Sequence, residues 1–479
     1  MPHLRQSLFS LAMPLAVCLV ALCCTAPAAA EVSLPALFAD HMCLQREIEI
    51  PVWGWAEQGE KVTVTLGDNS AETTAGADGK WMVKLPKMAA GGPHTLTVKG
   101  ASEIKISDVL VGEVWVCSGQ SNMEWTMTRV FNPEEEIAQA KYPQIRLFKV
   151  GRATPDEPAK DCEGQWAACS PQSVAGFSAV AYYFGRKLHE ELDVPVGLIN
   201  TSWGGTVCEA WTSAEKLKEE PDFDPIVKRG AASQGGPNRA GVLYNGMIAP
   251  LIPYAMRGAI WYQGESNLSR AVQYRKLFPT MITDWRERWG QGDFPFLFVQ
   301  LAPFRYRGQD QRNYAELCEA QRLTLSLPNT GMAVTNDIGN LRDIHPKNKE
   351  DVGERLALWA LAMTYEQKDL VHSGPLYKSM EVEGDKARIH FDHAGSGLAS
   401  RDGEPLRDFM IAGKDQQFVP AEAKIDGETV VVWSEAIREP AAVRFAWSDS
   451  AQPNLMNAEG LPASSFRTDK WPEATAGNQ

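Results

Sequence analysis

Apolar and polar positions follow three rhythms along this chain, and each predicts a different architecture. From residue 31 to 107 the apolar positions alternate in short runs, 50–55, 61–66, 80–85 and 94–98, separated by Gly-Asp-Asn, Ala-Asp-Gly-Lys and Gly-Gly-Pro. Successive side chains of a strand face opposite sides, and the intervening residues are turn chemistry, so this region reads as a small β-sandwich. It offers no catalytic constellation.

Between 108 and 367 the rhythm changes. Brief apolar runs at 114–117, 145–150, 196–199, 259–262, 296–301 and 332–335 alternate with helical spacing. Phe177, Val180, Ala181, Phe184 and Leu188 form one such helical stripe, and Val352, Leu356, Trp359 and Ala360 another. Strands alternating with helices imply an α/β domain with a parallel sheet between helices, whose ligand site lies outside the carboxyl ends of the strands. From 368 to 479 period two returns, as in 387–391 and 429–433, and predicts a β-rich C-terminal domain.

Composition narrows the function. The 479 residues carry a formal net charge of −13 and no basic run, which argues against nucleic acid as a partner. Residues 1–30 read as an export signal: Arg5, an apolar run at 8–23 broken by Pro14, and Ala28-Ala29-Ala30 before Glu31. The run is short for a membrane span and no later segment is continuous enough to make one, so a periplasmic or secreted protein is expected. Cleavage after Ala30 leaves Cys43, Cys117, Cys162, Cys169, Cys208 and Cys318. Cys162 and Cys169 stand in a polar stretch and are candidates to pair in an oxidising compartment. No cysteine and histidine spacing suggests zinc, and neither metal nor cofactor is expected.

The chemistry is then sought in the strand-end loops. After the run at 114–117 comes Ser118-Gly119-Gln120-Ser121-Asn122-Met123-Glu124. A serine two residues after a glycine in a strand-to-helix turn stands proud of the sheet, with following backbone amides able to face an oxyanion. Met123 replaces the second glycine of the usual G-x-S-x-G elbow, so this is a different elbow. Trp203-Gly204-Gly205-Thr206 follows the run at 196–199, and Gln263-Gly264-Glu265-Ser266-Asn267 follows that at 259–262. Paired glycines let amides approach a ligand, and Gln263 offers a side-chain amide. Ser266 is a competitor for Ser121. Of the eight histidines, only His189 and His345 fall in the α/β domain. His189 lies beside charged residues on a helix, whereas His345 occupies a loop after the last run, where a base following the nucleophile is expected.

Gly-Gln-Ser-Asn-Met, Trp-Gly-Gly-Thr, Leu-Tyr-Asn-Gly-Met-Ile-Ala-Pro-Leu from Leu243, Trp-Tyr-Gln-Gly-Glu-Ser-Asn and Asp-Ile-His-Pro-Lys-Asn-Lys together resemble the sialate O-acetylesterase family. The closing Asn457-Ala458-Glu459-Gly460-Leu461-Pro462-Ala463 resembles the C-terminal region of bacterial members. The resemblance implies a flavodoxin-like SGNH-hydrolase core, carbohydrate O-deacetylation and no cofactor. It implies Ser121 as nucleophile, His345 as general acid and base, and an oxyanion hole from the Ser121 amide, Gly204 or Gly205, and Gln263. Arg342 stands three residues before His345, where the SGNH pattern usually has an aspartate. Asp343 is therefore the first choice to orient the ring, Asp337 the second, and a backbone carbonyl the third.

Asn122, Trp203, Tyr244 and Glu265 are candidate substrate contacts, and Trp125 and Trp211 further aromatic platforms for sugar faces. The expected partner is an acetylated oligosaccharide or glycan, with sialic acid, xylan and xyloglucan all open. Two other classes compete: a glycosidase using Glu124 and Glu265 as paired carboxylates, and a carbohydrate-binding surface protein.

Overall fold

The computed structural model describes residues 31–232 and 235–479, so the expected export segment lies outside the described residues. Six strands form the parallel centre: Glu103–Gly119 (β1), Ile145–Lys149 (β2), Val196–Ser202 (β3), Gly258–Tyr262 (β4), Phe296–Val299 (β5) and Thr330–Ala333 (β6). They lie in the order β2-β3-β1-β4-β5-β6, with Trp166–Ala168 antiparallel on the outer edge of β2. β3 to β6 are buried throughout, which is why they read as continuous apolar runs. The helices Ser121–Glu124 (α1), Ala179–Leu192 (α2), Ala271–Trp289 (α3), Arg312–Leu323 (α4) and Glu350–Met363 (α5) follow strands of this sheet, α2 packing on α5 and α3 on α4.

β1 belongs to two sheets. Its first part, 103–111, pairs antiparallel with Gly91–Lys99, and its second part pairs parallel with β3 and β4. Burial follows the same division: exposed positions recur up to Ser107, and everything from Val109 is buried. The boundary expected at 107/108 therefore falls inside a strand rather than in a linker. One hydrophobic core runs from Val32 to Leu361, so the N-terminal strands and the α/β region share their interior.

The C-terminal region has a core of its own, built from alternating positions such as Ala387, Ile389 and Phe391 on Lys386–Asp392, and Val430 and Val432 on Thr429–Trp433. Its last segment returns to the central sheet: Gln300 donates to Ser464 Oγ at 2.9 Å, Arg467 pairs with Glu319, and Glu316 accepts from the Thr475 amide. Cys162 and Cys169, the candidates to pair, are separate thiols, as are the other described cysteines. No helix among the described residues is long and apolar enough to cross a membrane.

Candidate active site

β1 ends in Gly119 at φ +138°, where a Cβ would lie 2.2 Å from the Tyr262 carbonyl oxygen on neighbouring β4. Only glycine turns the chain there. Gln120 anchors the turn twice: its amide donates to Tyr262 O at 2.9 Å, and its Oε1 accepts from the amides of Gly264 and Ser266. Ser121 then opens α1, and its Oγ lies 2.9 Å from His345 Nε2. That is a full hydrogen bond between residues 224 positions apart. Ser266 makes no such bond; its backbone is spent holding Gln120.

His345 sits in the irregular segment between β6 and α5. Trp125 stacks on its ring at 5.0 Å and 17°. The Asp343 carboxylate accepts from the His345 amide at 2.9 Å and stands 3.6 Å from Nδ1, a charge contact rather than a hydrogen bond. Asp337, the second choice, is engaged elsewhere: both its oxygens accept from Arg355 at 2.7 Å.

The other expected site residues divide sharply. Gln263 is fully buried, and its two amide hydrogens go to Thr206 O and Asn267 Oδ1 while its Oε1 accepts from Tyr274. It has no donor left for an oxyanion, a correction to the expectation. The Gly204 amide donates to Glu124 Oε2 at 2.9 Å, although a Cβ on Gly204 would sit only 3.1 Å from that of Ser121. Gly205, at φ +76°, borders open space, and neither its amide nor that of Ser121 has an acceptor among the described residues.

Asn122 is buried and spent: it donates to Glu265 Oε1 and to Ile344 O and accepts from Lys349 Nζ at 2.6 Å. Rather than touching substrate, it ties the serine turn to the histidine loop. Tyr244 and Trp211 are buried, so neither is a platform for sugar. Trp203 is half-buried, with the Arg152 guanidinium 4.9 Å above its ring. Glu265 stands behind Asn122, and Glu124 is tied to Arg152 and to Gly204. Glu124 is thus held by Arg152 and Gly204, and Glu265 is bonded to Asn122 through one oxygen with the other buried and unpartnered, an arrangement that gives the paired-carboxylate expectation no support.

Lys349 is the functional residue that the sequence reading missed. It is buried, bonded to Asn122, and lies 5.7 and 5.3 Å from the Trp125 and Tyr262 rings. Burial pulls its ammonium down to about 7, and burial likewise pushes the Glu265 carboxyl up. His345 is held below its usual pKa by burial first and the Lys349 charge second, with Asp343 pulling the other way. A lysine opening a helix, against the positive end of its dipole, was the available signal.

Ser121 and His345 open into a cleft of about 370 Å³ whose walls include Glu124, Trp125, Arg129 and Arg152. A family model described as "Carbohydrate esterase, sialic acid-specific acetylesterase" matches residues 111–362. The sialate O-acetylesterase of Homo sapiens is 34% identical over 398 residues, covering 74% of this chain and 75% of that one. That of Rattus norvegicus is 30% identical over 479 residues, covering 85% and 88%. The crystal structure of a carbohydrate acetylesterase from Xanthomonas citri superposes with a TM-score of 0.87 at 42% identity, covering 92% of this chain and all of that one. The family match takes in every strand end from which the Ser121 and His345 loops depart, and the chain belongs to the sialic acid-specific acetylesterase family of carbohydrate esterases.

Proposed function

We propose that this esterase removes O-acetyl groups from sugars through an acetyl-enzyme on Ser121. The 2.9 Å bond between Ser121 Oγ and His345 Nε2 carries the reading. His345 takes the serine proton as Oγ attacks the acetyl carbonyl, and later gives it to the departing sugar hydroxyl. The tetrahedral oxyanion is met by the free amides of Ser121 and Gly205, donors that need no reorganisation as charge develops. Water, deprotonated by the same imidazole, then releases acetate. Asp343 supports the imidazolium by its charge. No step calls for a metal or cofactor, and thorough chelation is expected to leave the rate unchanged.

The five strands β3, β1, β4, β5 and β6 follow the order 2-1-3-4-5, with β2 added at the edge. That order supports the flavodoxin-like SGNH reading. Residues 1–30 support export to the periplasm or beyond. Trapping decides the mechanism: brief incubation with an aryl acetate followed by acid quenching is expected to leave acetyl on the peptide that holds Ser121. Acetyl on the Ser266 peptide instead, or none with turnover intact, overturns it.

A further inference from the structure

Most arginines of this acidic protein are paired with carboxylates. Among the described residues those outside any ion pair are Arg129, Arg305, Arg307, Arg322, Arg342 and Arg401. Four of them, Arg129, Arg305, Arg307 and Arg342, line clefts that meet at the histidine loop. All four are exposed.

The histidine loop also borders, through Asp343 and Pro346, a cleft of about 630 Å³ that includes Arg305, Arg342 and Lys347. It continues into a second of about 570 Å³ that shares Arg305 and Arg342 and adds Arg307. Each is within the roughly 300–1,000 Å³ of small-molecule sites. Asp343 is the one carboxylate in either lining. Phe131, 61% exposed, presents an aromatic ring to the larger cleft. Four cations line the joined clefts against one lining carboxylate, with Asp449 behind Arg305 as a second, so in a chain of net charge −13 the local balance is positive, opposite to that of the whole molecule. Unpaired guanidinium forks match carboxylates, and an exposed ring suits a sugar face.

We propose that these joined clefts are an anion-binding subsite for carboxylate-bearing sugar units flanking the acetylated one, so that the substrate is an extended acidic glycan. The proposal rests on the acetylesterase reading for the role of the serine cleft. Arg305, Arg307 and Arg342 take the carboxylates of units reaching past His345, while the acetylated unit lies over Ser121.

Binding and turnover test it separately. Calorimetry with a short unacetylated oligogalacturonate is expected to show binding that weakens as salt rises, and neutral cello-oligosaccharides of the same length are expected to bind much less. The double variant Arg305→Gln/Arg307→Gln should weaken oligogalacturonate binding by about tenfold and flatten its salt dependence. Equal affinity for the acidic and neutral oligomers, or a double variant that binds as the native protein does, overturns the subsite. Aryl acetate hydrolysis without oligogalacturonate binding overturns the subsite alone. Salt-sensitive binding without any acetate release supports the subsite and overturns the esterase reading.

Discussion

The two partners of the Ser121–His345 bond are held by different means. Ser121 stands on a turn dictated by its surroundings: Gly119 meets the Tyr262 carbonyl, Gln120 is bonded to β4 and to the loop after it, and α1 begins at once. His345 has no regular element of its own. It is placed by Trp125 stacked on its face, by Asn122 drawing in the Ile344 carbonyl, and by a carboxylate that stops short of its ring. Strand ends are over-determined by sheet register, whereas a loop residue depends on side chains arriving from elsewhere. The serine half of the site should therefore be brittle and the histidine half graded.

The largest effect expected is at the brittle half. Ser121→Ala should lower kcat by about 10⁴-fold or more with the fold intact by circular dichroism, while Ser266→Ala leaves it within about tenfold. A Ser266 loss equal to that of Ser121 would erase the distinction. Gly119→Ala should act on the same half through the backbone, destabilising the protein by about 2 kcal/mol or more, because a Cβ there collides with a carbonyl that the sheet holds fixed. An unchanged thermal midpoint would mean that the turn is softer than its register suggests.

Neutralising Asp343 should cost less. Asp343→Asn is expected to reduce kcat by about 10- to 100-fold, short of the ~10⁴-fold of a buried triad aspartate, since Asp343 is half exposed and 3.6 Å from Nδ1. A loss of the full size would show that the loop closes on substrate. Asp337→Asn should act on stability instead, by removing the two-pronged carboxylate contact of Arg355 and leaving it the longer one to Asp351 at 3.8 Å.

The smallest effect is in the pH profile. In the proposed mechanism His345 works as a base when neutral, and its pKa lies below the ordinary value, so the acid limb of kcat/KM is expected below about pH 6.5. Lys349 is charged in that range, and Lys349→Met removes a positive neighbour, raising the His345 pKa and moving the limb to higher pH. Asp343→Asn removes a negative neighbour and should move the limb the other way. Identical limbs in both variants would separate these charges from the base.

The apolar rhythm was enough to find the six central strands, because a strand buried on both faces has to be apolar at every position. It also found the flanking β regions, whose alternation records one buried face. Gly119 and Ser121 were legible for a similarly local reason, since a strand-to-helix turn needs glycine where no Cβ fits. The expected break at 107/108 was not, because β1 passes from one sheet to another without interruption, and pairing partners leave no mark on the strand between them.

What the sequence by itself determined is thus the order of elements, the strand ends from which the site loops depart, and the serine and histidine that the fold brings into hydrogen-bond contact. Only the tertiary structure decided how the polar groups were spent: Gln263 on Thr206 and Asn267, Asn122 on Ile344 and Lys349, Asp337 on Arg355, and Gly204 on Glu124. A side chain's type states how many hydrogen bonds it is able to make. Which partners take them up depends mostly on residues tens to hundreds of positions away, brought to about 3 Å by packing that no local pattern encodes.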